Sequence, residues 1–126
     1  MTVFSGVDGM ERFDPTEVLE RVGGDTELLA HLADVLATEL PAMLGRVQDA
    51  VKAGDAAELY RAAHAIKGAL SVFGYPPATD AATELERRGK EGELERTTDL
   101  SGDLEHHALT LLVGLSAFRL VEKRTS

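Results

Sequence analysis

The chain has 126 residues, enough for one domain that buries a hydrophobic core without disulfides or metal clips. Hydrophobic residues make up 44% but aromatics only 5%, with no Trp, so the core is expected to be aliphatic, which suits helices better than sheets. The absence of cysteine excludes disulfide scaffolds, thiolate zinc sites and cysteine nucleophiles and points to the cytoplasm, while a net charge of −9 has the wrong sign for nucleic acid or anionic lipid.

The opening segment, Met1 to Met10, has no basic region followed by an apolar run, and no unbroken apolar stretch approaches the length of a membrane span. Residues 1–13 read as a loose arm anchored by Phe13. Asp14-Pro15-Thr16-Glu17 is a helix start, with Asp14 as the cap, Pro15 at the first helical position and Glu17 at capping-box spacing. This short helix ends at Arg21 or Val22, before Gly23-Gly24. Asp25 then caps a long amphipathic helix whose stripe includes Leu28, Leu29, Leu32, Leu36, Leu40, Leu44, Val47 and Val51. Pro41 falls inside it, and because the stripe continues in phase beyond the proline, a bend is expected and not a break.

Gly54-Asp55 separates this helix from a third, expected over Ala56 to about Phe73 and stopped by Gly74. A fourth is expected from Pro77 to about Arg88, with Gly89 and Gly92 loosening the chain behind it. From Glu93 to Leu100 no pattern stands out, and Ser101 is the expected cap of a last helix carrying Leu104, Ala108, Leu111, Leu112 and Leu115. With no alternating apolar run, the expected fold is all-α: an antiparallel, up-down four-helix bundle over 14–122 with an additional short N-terminal helix, and a frayed end over 123–126.

The third helix carries the candidate chemistry. At about 100° per residue, Leu59, Ala62, Ala63, Ile66, Ala69, Leu70 and Phe73 form the apolar stripe, which leaves Arg61, His64, Gly68 and Ser71 opposite it. Tyr60 and Lys67 lie along one flank, Ala65 and Val72 along the other. A glycine on an exposed helical face costs about 1 kcal/mol relative to alanine and calls for a reason. Side chains lean toward the helix N-terminus, so residue 68 overhangs residue 64, and glycine there clears the space above the imidazole. Lys67 lies close enough to reach an anionic group on the ring. An exposed imidazole, a cation one turn on and steric clearance fit phosphoryl transfer, with His64 as nucleophile, Lys67 balancing the phosphoryl oxygens and Gly68 admitting the partner. No Walker-type or kinase glycine loop accompanies them, so ATP is expected to be handled by another protein. Tyr60, Arg61, Ala65, Ser71 and Val72 are candidate partner contacts, and Arg61 and Lys67 are expected to form a positive patch around His64.

The run from Arg61 to Gly74, with its His-x-x-Lys-Gly pattern and a later glycine, resembles the signature of histidine-containing phosphotransfer (HPt) domains. The likeness extends more loosely from Phe13 onward; Ile66 replaces the commoner leucine. It implies a non-enzymatic, monomeric carrier in a multistep His-Asp phosphorelay. His64 would receive a phosphoryl group from a receiver-domain aspartate, within a pathway fed by a hybrid sensor histidine kinase, and pass it to another response-regulator receiver. The carrier would have no cofactor of its own, magnesium belonging to the receiver. The resemblance also implies a polar side chain from the fourth helix beside the histidine, for which Glu86 is the candidate. Two other readings remain open: a docking bundle without phosphorylation, and a phosphotransfer domain of the chemotaxis-kinase type, phosphorylated directly by an ATP-binding domain. His31, His106 and His107 lack the spacing of a metal site, so no metal is expected.

Overall fold

A computed structural model describes residues 13–125, with side chains to residue 118. The described residues form five helices, in chain order α1 (Pro15–Arg21), α2 (Thr26–Ala53), α3 (Ala56–Ser71), α4 (Pro76–Glu91) and α5 (Thr97–Thr125). Helices α2 to α5 form a ring in which α3 packs on α2 and α4, and α5 packs on α4 and α2. The short α1 lies against α2 and α5, so the fold is a four-helix bundle with one added N-terminal helix, with no strand among the described residues.

Capping residues set the starts. Asp14, Asp25 and Asp55 accept from the backbone N–H groups of Thr16, Leu28 and Glu58, at 2.9, 3.0 and 3.0 Å. Helix α2 runs unbroken through Pro41, whose missing donor would have bonded the carbonyl of the exposed Ala37. The inner surfaces meet in an aliphatic core that includes Leu29, Leu40, Leu59, Ile66, Leu70, Leu85, Leu104 and Leu111. Phe13 closes one end, its ring edge-on to Tyr75 with centroids 5.6 Å apart. The remainder of the expected arm, residues 1–12, lies outside the described residues.

Helix α2 has an 18-residue window with mean hydropathy 1.3, long and apolar enough by length and composition to cross a membrane. Its stripe of Leu29, Ala33, Leu36, Leu40, Leu44 and Val47 is instead buried in the bundle. The sequence expectation concerns unbroken apolar runs, a stricter test than mean hydropathy, and this window does not contradict it. The structure departs from the sequence expectations at the boundaries of three helices, α3, α4 and α5. Helix α3 ends at Ser71, two residues before the expected Phe73, and Gly74 follows with φ 61°.

The fourth helix starts one residue earlier than expected and continues through Gly89 to Glu91, stopping at Gly92 with φ 73°. Gly89 is a buried packing position inside the helix, not the point where the chain loosens. Ser101 does not cap the last helix: α5 begins at Thr97, leaving Ser101 buried in its second turn. The intervening turn is tied by a bond the sequence does not announce, from the Arg88 guanidinium to the carbonyl of Glu95 at 2.5 Å.

Candidate functional site

The inward stripe of α3 buries Leu59, Ala62, Ala63, Ile66 and Leu70, which turns His64 outward with 64% of its side chain exposed. On α4, Ala78, Ala82, Leu85 and Gly89 face the core, so Glu86 lies at the edge of the buried face, toward α3. Its side chain is only 14% exposed and both carboxylate oxygens are engaged. Oε2 lies 2.6 Å from His64 Nδ1, and Lys67 Nζ donates to Oε1 at 2.5 Å.

These partners fix the protonation pattern. The Lys67 ammonium, and after it the His64 ring, hold the Glu86 carboxyl below its ordinary range against the opposing effect of burial. An ionised carboxylate only accepts hydrogen bonds, so Nδ1 of His64 carries the proton and donates. In the neutral ring the lone pair is then on Nε2, the nitrogen not engaged by Glu86. Tyr60, one turn before, stacks along the imidazole with centroids 6.1 Å apart and 23° between planes.

The expected positive patch is corrected by these pairings. Lys67 is paired with Glu86, and Arg61 is paired with Glu58 at 3.2 Å, which also accepts from Arg46 at 2.9 Å. The surface around His64 therefore carries compensated charge. Glu58 did not figure among the sequence candidates, although its spacing of three residues from Arg61 is readable on a helix.

The other candidates divide by what they touch. Gly68 is exposed, and a Cβ built on it would meet nothing within 4 Å, so no packing contact in the bundle requires glycine there. Gly45 and Gly102 are equally open, but only Gly68 follows His64 by one turn. Ser71 turns its hydroxyl back to donate to the Gly68 carbonyl at 2.9 Å. Ala65 is half-buried, while Val72 is exposed and borders an apolar groove between α2 and α3 lined also by Leu32, Val35, Met43 and Ala69. Among the described residues, no group of three or more His, Cys, Asp or Glu side chains could hold a metal ion.

The model of the Hpt domain family matches residues 31–114, a stretch that includes His64, Lys67, Gly68 and Glu86. The chain belongs to the Hpt domain family. Membership carries a histidine phosphotransfer function in phosphorelays, as a phosphocarrier and not a catalyst, and interaction with receiver domains of two-component systems. No curated protein and no solved structure matches the chain.

Proposed function

We propose that this Hpt domain carries its phosphoryl group on Nε2 of His64, taking it from the aspartyl phosphate of one receiver domain and delivering it to the aspartate of another. The observation that carries this reading is the Glu86 carboxylate on Nδ1, which leaves the nucleophilic lone pair at the ring nitrogen away from the protein.

In the forward step the Nε2 lone pair attacks phosphorus. The bond between phosphorus and the aspartyl oxygen breaks, and the electron pair leaves with the aspartate carboxylate. No proton has to move, because Nδ1 already holds its own. The ring gains positive charge as the new bond forms, and Glu86 is placed to stabilise it. Lys67 holds the Glu86 carboxyl below its ordinary range, and its remaining N–H donors serve the phosphoryl oxygens. Gly68 leaves room for the receiver pocket, whose magnesium would supply neutralisation of the phosphoryl charge. Tyr60, Arg61, Ala65, Ser71 and Val72 form the surrounding contact surface, with the apolar groove beside Val72 receiving apolar side chains of the partner. The carrier works as a cytoplasmic monomer supplied by a hybrid sensor histidine kinase.

The test is incubation with a phosphorylated receiver domain, comparing the parent chain with His64→Gln. Acid-labile, base-stable label on the parent alone is expected. Equal labelling of both proteins, or no labelling of the parent by any receiver tried, sinks this reading; the second result leaves a docking bundle. Labelling of the parent only by an ATP-binding kinase domain favours the chemotaxis type.

A further inference from the structure

Two glycines lie inside the pair of helices that builds the site, and their surroundings are opposite. A Cβ at Gly68 would stand in open space, whereas a Cβ at Gly89 would lie 2.5 Å from the Tyr60 backbone nitrogen and 2.9 Å from both the Tyr60 Cα and the Ala56 carbonyl oxygen. These obstructing atoms are helix backbone, which cannot swing aside as a side chain does, so even a methyl group at 89 forces α3 and α4 apart. Glycine in a helix interior costs about 1 kcal/mol against alanine. At Gly89 that cost accompanies a close approach of the two helix backbones.

This approach is one turn from the site on both sides. Tyr60 precedes His64 by four residues, Gly89 follows Glu86 by three, and α3 and α4 run antiparallel, so the two pairs lie next to each other. Glu86 bonds His64 at 2.6 Å and Lys67 at 2.5 Å across the same interface, so a wider helix spacing draws the carboxylate from both partners unless their side chains rotate to follow it.

We infer that Gly89 is a positioning residue: by admitting the α3 backbone where a side chain would stand, it sets the helix spacing at which one carboxylate holds both His64 and Lys67. Glu86 holds the Nδ1–H tautomer of His64, and Gly89 acts through Glu86. Its importance for phosphotransfer rests on the reading of His64 as the phosphoryl acceptor.

The experiment compares the parent chain with Gly89→Ala, and with Gly45→Ala as a control whose Cβ would meet nothing. Long-range nitrogen–proton NMR of the His64 ring reports the tautomer directly. The Nδ1–H form is expected in the parent and in Gly45→Ala, and a mixture with the Nε2–H form in Gly89→Ala. Signals are read from the folded population, which added sucrose replenishes if the variant is partly unfolded. The initial rate of phosphorylation by phosphoramidate, a small donor that needs no docking, is expected to fall about tenfold in Gly89→Ala, the scale of one lost charge-assisted bond. The double variant Gly89→Ala/Glu86→Ala is expected to be no slower than Glu86→Ala alone.

An unchanged tautomer in Gly89→Ala overturns the inference, as do losses that multiply in the double variant. If the parent accepts no phosphoryl group from phosphoramidate or from a receiver, the carrier reading fails, while the ring spectra still decide whether Gly89 positions Glu86.

Discussion

Glu86 Oε2 and His64 Nδ1 are 2.6 Å apart across the α3–α4 interface, although 22 positions separate the two residues in the chain. The contact joins a mostly buried carboxylate to a mostly exposed ring, so the partner that orients the ring is protected while the ring is not. In the proposed carrier role, this division would let one exposed side chain meet different receivers without its tautomer being reset at each encounter.

Replacing Glu86 separates geometry from charge. Glutamine can still accept from Nδ1–H through its carbonyl but brings no negative charge to the ring as phosphorus–nitrogen bonding develops. Glu86→Gln is expected to slow phosphorylation by a receiver severalfold, and Glu86→Ala by about tenfold or more, because alanine also frees the tautomer. Initial rates with a phosphorylated receiver check this, and equal rates in parent and Glu86→Ala contradict the orienting role.

Lys67 is the first cause of the low Glu86 pKa, ahead of His64. Removing its ammonium in Lys67→Ala leaves burial, which favours the neutral acid, less strongly opposed. The Glu86 carboxyl is therefore expected to titrate below the ordinary value of 4.5 in the parent and to move upward in the variant. Carboxyl carbon NMR over an acid titration follows the midpoint directly. Phosphotransfer by Lys67→Ala is expected to slow as well, and an unmoved Glu86 midpoint would remove Lys67 from its supporting position.

Much of this was legible in the sequence because it is local. The caps at Asp14, Asp25 and Asp55, and the three- and four-residue recurrence of leucines, belong to single helices and need no knowledge of neighbours. The outward direction of His64 follows in the same way from the inward direction of Leu59, Ile66 and Leu70. What depends on two elements meeting was harder to read. Gly89 looks like a helix end when α4 is taken alone, and becomes a packing position only beside the Tyr60 backbone. Lys67 and Arg61 look like a positive patch until Glu86 and Glu58 pair with them. The start of α5 was missed because its preceding turn is tied by Arg88 from another helix.

A second pH effect belongs to the surface of α4. Glu84 accepts from both Arg87 and Arg88, which lower its pKa from 4.5 to about 2. The folded chain thus binds this proton more weakly than the unfolded chain does. Stability from Glu84 is fully present above pH 4.5 and is lost as pH falls toward 2. Glu84→Gln is expected to lower the melting midpoint at neutral pH by about 2 °C, a small shift because exposed ion pairs contribute little. The gap between variant and parent should close on acidification, which paired melting curves across that range measure. A gap that widens in acid contradicts the assignment.

Gly68 allows the demand of the bundle to be separated from the demand of the partner. Nothing lies within 4 Å of a Cβ built at this position, so Gly68→Ala is expected to stabilise the chain by up to about 1 kcal/mol through helix propensity alone. Gly68→Gln adds a side chain that leans back over His64 and obstructs a macromolecule more than a small donor. Phosphorylation of Gly68→Gln by phosphoramidate is therefore expected to stay within about twofold of the parent, while phosphorylation by a receiver falls at least tenfold, the scale of a few kcal/mol of steric exclusion. Thermal melts and the two donor rates distinguish the contributions. A variant that gains stability and still accepts normally from the receiver would show that the glycine clears no path, and the exposed face of α3 would then need another explanation for its weakest helix former.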